Sequence, residues 1–221
     1  MVARATFRAC AVVGALLGGG SGAPVLAATE PRVLVVHAYH PGFEWTDRLH
    51  GGFVAALRGS EALVHVEHLD LKRLAGTAHL DALAEALASK YRGYPFDAVV
   101  AFDDHAVDFV LEHRARLAPE APVVFGGLND YRREALAGVP ELTGVVETVD
   151  LVGTLRLARA LAPDARRVVV VSDRTRTSSA LADRLRALAR STPSRLRFEF
   201  VTAESLEAAA ERLGRAEGAV G

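Results

Sequence analysis

Two patterns of apolar residues alternate along the chain from residue 31 onward. Short unbroken apolar runs, such as 32–36, are typical of parallel strands that helices cover on both faces. Between these runs, apolar residues recur every three or four positions, which predicts amphipathic helices. The first series of predicted strands covers 32–36, 63–69, 97–102, 122–125 and 143–148. Strict alternation over about 120 residues predicts an α/β fold with a doubly wound parallel sheet.

The pattern restarts at Asp150 with a second, shorter series of helices and strands. Strands are predicted at 167–172 and 195–202, and the chain stops where another apolar strand would begin. A single pair of parallel strands with its helices buries too little apolar surface to fold alone. We therefore expect a first ligand-binding α/β lobe at 29–149 and a truncated second lobe at 150–221, in an amino-terminal fragment of a longer protein.

The amino terminus carries a hydrophobic segment, 9–27, which follows two arginines and ends in small residues. This arrangement predicts a secretory signal peptide at 1–28, with cleavage near Ala27 or Ala28. A membrane anchor is the alternative. The glycine-rich run 18–22 argues against it, because it leaves an apolar core that is short for a bilayer span.

Composition and charge exclude several classes of function. The 221 residues are 50% hydrophobic and carry a net charge of -1 with the two signs interspersed, so the chain is neither disordered nor a nucleic-acid-binding protein. Cys10, the only cysteine, lies in the predicted signal peptide and is not set in a lipobox. The mature chain would therefore have no disulfides and no thiol chemistry. Export and the absence of cysteine together indicate a bacterial envelope compartment, the periplasm.

The loop after the first strand is rich in side chains that commonly bind ligands. It contains Tyr39, His40 and Trp45, and Thr46 is the predicted N-cap of the following helix. In open parallel sheets, ligands bind beyond the carboxyl ends of the strands. Trp45 lies outside any helical or strand core pattern, so we favour ligand contact over a role as a surface plug. His40 has a second interpretation, in which it bridges loop carbonyls.

Polar residues also follow the next predicted strands. The pair Asp103 and Asp104 follows the third strand, where one acid would cap the next helix and the other would face the crevice. Asn129 and Asp130 follow a glycine pair after the fourth strand, and either residue could cap a helix. Glu147 lies at the end of the fifth strand.

In the second series, an acid and several hydroxyls occupy a strand-to-helix junction at 173–179, which is typical of another crevice loop. The glycine pair at 126–127 belongs to neither a dinucleotide fingerprint nor a Walker loop. We therefore expect no nucleotide cofactor, and no other cofactor is indicated.

Three acidic or imidazole side chains in the second strand, His65, Glu67 and His68, raise the question of a metal site. Side chains alternate faces along a strand, so His65 and Glu67 point one way and His68 the other. We favour polar residues of an edge strand over metal ligands.

An enzyme is the least favoured class. A metal-dependent hydrolase or a general acid–base pair could be assembled from His37, His40, Asp103, Asp104 and Glu147. The chain contains neither HExxH nor GxSxG, and strand-end acids serve equally well as caps or hydrogen-bond acceptors. We therefore expect no catalytic residues and no metal.

Several motifs in order resemble one known family: VLVVHAYHPGFEWTDRLHGGF, VEHLDLKR, AFDDHAVDFVLEHR, PVVFGGLNDY, LTGVVETVDLVGTL and RRVVVVSDRTRTS. The chain resembles the periplasmic binding-protein-like "ABC transporter substrate-binding protein" family over roughly residues 31–221. It is most similar to the branch that forms the extracytoplasmic sensor domain of bacterial sensor histidine kinases.

The resemblance implies a type I periplasmic-binding fold, in which two α/β lobes joined by a hinge hold a small molecule between them. Glu147 would lie at the hinge crossing. His105 departs from the family, since a small amide residue is expected there. The implied ligand-binding residues are Tyr39, His40, Trp45, Asp103, Asp104, Asn129, Asp130 and Glu147, with Asp173, Thr175 and Thr177 facing them from the second lobe.

The resemblance leads to two hypotheses about function. The first is the sensory input domain of a signal-transduction protein, with covalently linked membrane signalling domains and a kinase or cyclase region downstream. The alternative is a soluble substrate-binding protein that works with an ABC permease. In both cases the partner is a small-molecule ligand, and acidic cleft residues suggest an amine, an amino acid or a hydroxylated compound.

Overall fold

The computed structural model describes residues 30–74, 78–129, 136, 138–191 and 196–218. The predicted signal peptide therefore lies outside the described residues, as does most of the helix predicted near Tyr131. No helix in these ranges is both long and apolar enough to cross a membrane.

Seven strands alternate with helices along the described chain. The first five strands are β1 (Arg32–His37), β2 (Leu63–His68), β3 (Ala98–Phe102), β4 (Val123–Leu128) and β5 (Leu142–Val146). The helices between the first four are α1 (Glu44–Ala56), α2 (Ala78–Lys90) and α3 (Asp104–Leu117). The remaining elements are α4 (Leu151–Leu161), β6 (Arg167–Ser172), α5 (Arg176–Ser191), β7 (Arg197–Thr202) and α6 (Leu206–Gly218).

The first five strands form one parallel sheet in the order β2-β1-β3-β4-β5. The order reverses between β1 and β3, because the chain moves outward to β2 before it returns to the other side of β1. This is the topological switch point of a doubly wound sheet, and a crevice opens there at the carboxyl ends of the strands. The predicted α/β class with a parallel sheet is confirmed.

Helices cover both faces of this sheet. Alternate residues of a strand point to opposite faces, so Leu34 and Val36 pack on one side and Val35 on the other. The first side is the larger core and includes buried residues of α2 and α3. On the second side, Leu49 and Phe53 of α1 pack against the strands.

The last two strands form a separate parallel pair, β6-β7. Helix α4, which precedes this pair, has no buried residue, and Leu161 at its end is 78% exposed. Asp150 caps this helix, because its carboxylate accepts a hydrogen bond from the Gly153 amide at 2.8 Å. The division into lobes at 149 and 150 stays a prediction.

One predicted helix start is wrong. Helix α1 begins at Glu44 with Phe43 as its N-cap, so Thr46 is buried within the first turn and does not cap it. The orphan amides at this end are balanced instead by two acids in the first turn, Glu44 and Asp47. Asp47 also accepts a hydrogen bond from the Gly42 amide at 3.0 Å, which fixes the loop that enters the helix.

Candidate functional site

The centre of the candidate site is the pair Tyr39 and Asp103, at the switch point. His37 is in register with Phe102 at the ends of β1 and β3, so the residues that follow these strands lie side by side. The Tyr39 hydroxyl donates a hydrogen bond to Asp103 Oδ1 at 3.0 Å, although the two residues are 64 positions apart in sequence.

Asp103 has an unusual backbone conformation. Its φ of 80° and ψ of 159° lie in a region that is almost restricted to glycine. Its amide donates to the Gly126 carbonyl at 2.9 Å, and its own carbonyl accepts from Ala106 and Val107 at the start of α3, both at 3.1 Å. These bonds hold the residue in a strained geometry. Such strain costs on the order of 1–3 kcal/mol and is concentrated at ligand-binding and catalytic sites.

The Asp103 carboxyl is also electrostatically perturbed. The side chain is only 5% exposed, and this burial raises its pKa to about 6, against a smaller lowering by the Tyr39 hydrogen bond. The neighbouring Asp104 raises it further. Burial and the Asp103 carboxylate likewise raise the pKa of Tyr39, which keeps its hydroxyl a donor at neutral pH.

Asp104, Asn129 and Glu147 extend the site across the next strands. Asp104 is 1% exposed, and its Oδ2 accepts a hydrogen bond from the Asn129 amide at 3.3 Å. The Asn129 side chain donates to the Gly127 carbonyl at 3.1 Å, which fixes its orientation. Glu147 directly follows β5, and its amide donates to the Leu128 carbonyl at 2.9 Å.

Trp45 lies in the first turn of α1, not on the preceding loop as predicted. Its indole packs against Gly127, where a Cβ atom would come within 3.4 Å of Trp45 Cζ2. Gly127 has a φ of +69°, so its backbone favours glycine, while a Cβ atom there would make only ordinary van der Waals contact with the ring. The indole Nε1 is buried and has no hydrogen-bond partner in the described part of the chain.

The β6–α5 junction supplies the opposite side of the site. Asp173 Oδ1 accepts hydrogen bonds from the Thr175 amide at 2.9 Å and from the Thr175 hydroxyl at 2.6 Å. These bonds lower the pKa of Asp173 and keep it ionised. Arg176, the first residue of α5, pairs with Asp108 of α3 and so connects the β6–α5 junction with the first sheet.

These elements line an open cavity of about 590 Å³, here called the cleft. Nine of the predicted residues line it: Tyr39, Trp45, Asp103, Asp104, Asn129, Glu147, Asp173, Thr175 and Thr177. The structure thus brings together side chains from the ends of β1, β3, β4 and β5 and from the β6–α5 junction. That they bind a ligand stays a prediction.

Two predicted residues are not among those that line the cleft. His40 Nδ1 lies 2.9 Å from the Pro41 carbonyl oxygen, so the loop-bridging interpretation describes it better than ligand contact. Asp130 lies outside the described residues.

Sequence reasoning did not assign five of the residues that line the cleft: Phe43, Leu71, Lys72, His105 and Arg176. Leu71 and Lys72 follow the carboxyl end of β2, so the rule that identified the other strand ends would have found them. Arg176 lies between the two predicted threonines. Burial lowers the pKa of His105, as does Arg176, so the imidazole is neutral at physiological pH.

The histidines considered for metal binding have protein partners. β2 is the edge strand of the sheet, where His65 Nε2 lies 2.9 Å from the Tyr94 hydroxyl and Glu67 pairs with Lys90 at 2.6 Å. His68 stacks on His37, with ring centroids 5.1 Å apart. Within the described ranges, no group of three or more His, Cys, Asp or Glu side chains is arranged to hold a metal ion. The hydrolase alternative therefore gains no support.

A parallel sheet with a switch-point crevice, closed from the far side by a second α/β unit, defines the class of fold found in solute-binding proteins. Two solved structures share it. The ABC domain from Streptococcus pneumoniae in complex with L-Trp is similar with a TM-score of 0.52 at 15% sequence identity, and the match covers 79% of this chain and 57% of that chain. The ligand-free, open structure of CD0873 from Clostridium difficile, a substrate binding protein with adhesive properties, gives a TM-score of 0.56 at 15% identity, covering 86% of this chain and 62% of that one.

The chain therefore has a periplasmic-binding-protein-like fold, and it spans less than two thirds of the length of either structure. At 15% identity, the similarity establishes the fold alone. No protein-family model matches the sequence, and no curated protein is detectably similar to it.

Proposed function

We propose that the chain is a small-molecule-binding domain whose ligand lies in the cleft. One observation carries this proposal: polar side chains from all five strand ends of the first sheet and from the β6–α5 junction converge on a cavity of about 590 Å³. That volume is within the range of small-molecule pockets, roughly 300–1,000 Å³. A strained, buried acid at the centre of such a cavity is typical of a binding residue.

The chemistry of the cleft favours a ligand with an apolar ring or chain and a protonated amine. Tyr39, Phe43 and Trp45 provide aromatic surface on the side of the first sheet. Asp104 and Glu147 provide carboxylates that accept hydrogen bonds from an ammonium or hydroxyl group. The Streptococcus pneumoniae structure holds L-Trp, which combines these features, so L-Trp is the natural first probe.

For the whole protein, we propose the extracytoplasmic sensory input region of a bacterial signal-transduction protein, exported by the amino-terminal signal peptide. The support is the order of motifs that resembles the sensor branch of the family. The alternative is a soluble substrate-binding protein of an ABC importer, which the description of CD0873 as a substrate binding protein favours. The gene sequence downstream of residue 221 separates them, because only the sensor requires a membrane helix and a cytoplasmic signalling region.

The binding proposal is tested by a thermal-shift screen of amines, amino acids and hydroxylated metabolites, L-Trp included, followed by calorimetry on the compounds that raise the Tm. Trp45→Ala should weaken the binding of such a compound by about tenfold or more, because an aromatic wall of the cleft is removed. It should leave the fold intact, since the ring is only partly buried.

Phe53→Ala is the matched control for this variant. Phe53 lies on the same helix but packs under the sheet against Phe102, at a centroid distance of 6.1 Å, and does not line the cleft. Phe53→Ala should therefore lower the Tm with little change in the affinity for the ligand. Unchanged affinity in Trp45→Ala would remove this residue from the site, and a screen without a single Tm shift would contradict the binding function itself.

A further inference from the structure

Lys72 occupies a distinctive position in the cleft. It follows β2, and its Nζ lies 4.8 Å from the ring centroid of Tyr39 and 5.4 Å from that of Phe43. The two rings meet edge to face with centroids 5.3 Å apart. An ammonium group at these distances is held by the negative faces of the rings, which position the charge without neutralising it.

Three other charged groups of the cleft already have partners. Arg176, the second basic side chain of the cleft, pairs with Asp108. Asp103 accepts from the Tyr39 hydroxyl, and Asp173 accepts twice from Thr175. Lys72 itself forms no ion pair with any residue that the structure describes. It is therefore a positioned cation in the cleft that still has its donors to offer.

This arrangement has two consequences for a ligand. A carboxylate that enters the cleft meets three ammonium donors held in place by the rings. At the two rings a cationic group meets the opposite situation, because Lys72 occupies the aromatic faces that would otherwise attract it and repels it by charge. An ammonium group is then left with the carboxylates of Asp104 and Glu147 as partners. Without Lys72, two ring faces beside the Asp103 carboxyl would form a favourable site for an ammonium group.

We propose that Lys72 determines ligand specificity by charge: it binds a carboxylate of the ligand and excludes amines that lack one. This inference rests on the proposed binding function of the cleft. It adds the requirement that the ligand carry a carboxylate. A pair of compounds that differ by one carboxylate tests it, and L-Trp and tryptamine are such a pair.

The experiment compares the wild type with Lys72→Met, which keeps the length of the side chain and removes the charge. We expect the wild type to prefer L-Trp over tryptamine by about tenfold or more in calorimetry, the worth of one charge-assisted hydrogen bond. Lys72→Met should lose at least that factor for L-Trp and bind tryptamine more tightly than the wild type does. Lys72→Arg should retain the preference, because it keeps the positive charge.

Lys90→Met is the matched control. Lys90 also lies over a tyrosine, 5.0 Å from the ring centroid of Tyr91, but it does not line the cleft. Lys90→Met should therefore leave the affinities for L-Trp and for tryptamine unchanged. An unaltered ratio of L-Trp to tryptamine affinity in Lys72→Met would overturn the proposal. So would a Lys72→Met variant that binds neither probe, since its cleft is expected to take tryptamine. The binding function is judged separately, by the complete thermal-shift panel.

Discussion

The strained backbone of Asp103 predicts an inversion of the usual order of alanine and glycine. At an ordinary position, alanine is the more stable of the two by about 0.4–1 kcal/mol, because glycine gains more freedom in the unfolded chain. Asp103 has a φ of 80° and a ψ of 159°, where any side chain is strained by about 1–3 kcal/mol. Both substitutions lose the Tyr39 hydrogen bond, so that loss cancels in the comparison. We therefore expect Asp103→Gly to be more stable than Asp103→Ala by about 0.5–2 kcal/mol.

The assay is urea denaturation of both variants at one pH above 6, with the free energies of unfolding compared at equal m values. The neighbouring pair Asp104→Gly and Asp104→Ala is the control. Asp104 begins α3 and is not among the described residues with positive φ, so alanine should be the more stable there. If Asp103→Ala equals or exceeds Asp103→Gly, the strain argument is refuted. If Asp103→Gly is stable yet binds no ligand that the wild type binds, the Asp103 carboxyl group is required for binding.

Two further predictions concern the surroundings of the cleft. His37 is 1% exposed, and burial, followed by the charges of His68 and His50, lowers its pKa from 6.5 to about 4. As the pH falls from 6.5 to 4, the His37 imidazole binds a proton in the unfolded chain before it does so in the native state, so the free energy of unfolding falls by about 1–3 kcal/mol. In urea titrations over this pH range, His37→Phe should show a smaller decline. Gly127→Ala should destabilise the fold by about 1–2 kcal/mol through its positive φ. It should leave ligand binding nearly unchanged, because the added Cβ would only touch the Trp45 ring, at 3.4 Å. Gly93→Ala has a similar φ of +70° and open space around it, so it should lose a similar free energy of unfolding, and a much smaller loss there would contradict the attribution to φ.

Much of the fold and most of the cleft could be predicted from the sequence because both follow from one periodicity. Buried parallel strands are read directly as apolar runs, and parallel strands present all their carboxyl ends at one edge. The position of a polar residue just after a run, as at Asp103, Asn129 and Glu147, therefore predicts its neighbours in space. The polar residues of β2 itself indicate an edge strand, and this pattern carries no signal for Lys72, which lines the cleft beyond the end of that strand.

Features that depend on contacts distant in sequence were not predictable in this way. The residue type of Thr46 favours an N-cap, but α1 begins two residues earlier, because Asp47 binds the Gly42 amide. The conformation of Asp103 is set by hydrogen bonds to Gly126 and from Tyr39, neither of which the local sequence shows. The pair Asp103 and Asp104 predicts a helix cap, and neither residue type predicts the positive φ of Asp103.

The proposed binding function can be related to one ion pair at the edge of the cleft. The Arg176–Asp108 pair connects the β6–α5 junction with α3, and its side chains are 29% and 59% exposed. An ion pair this exposed contributes only about 0–1 kcal/mol, so it biases the position of α5 relative to the first sheet without fixing it. A ligand shifts such an equilibrium only by contacts that exist in one arrangement and not in the other. Under the proposed binding function, a ligand that contacts Asp173 or Thr177 on one side and Asp103 on the other stabilises the arrangement seen here, because these residues line the same cavity in it.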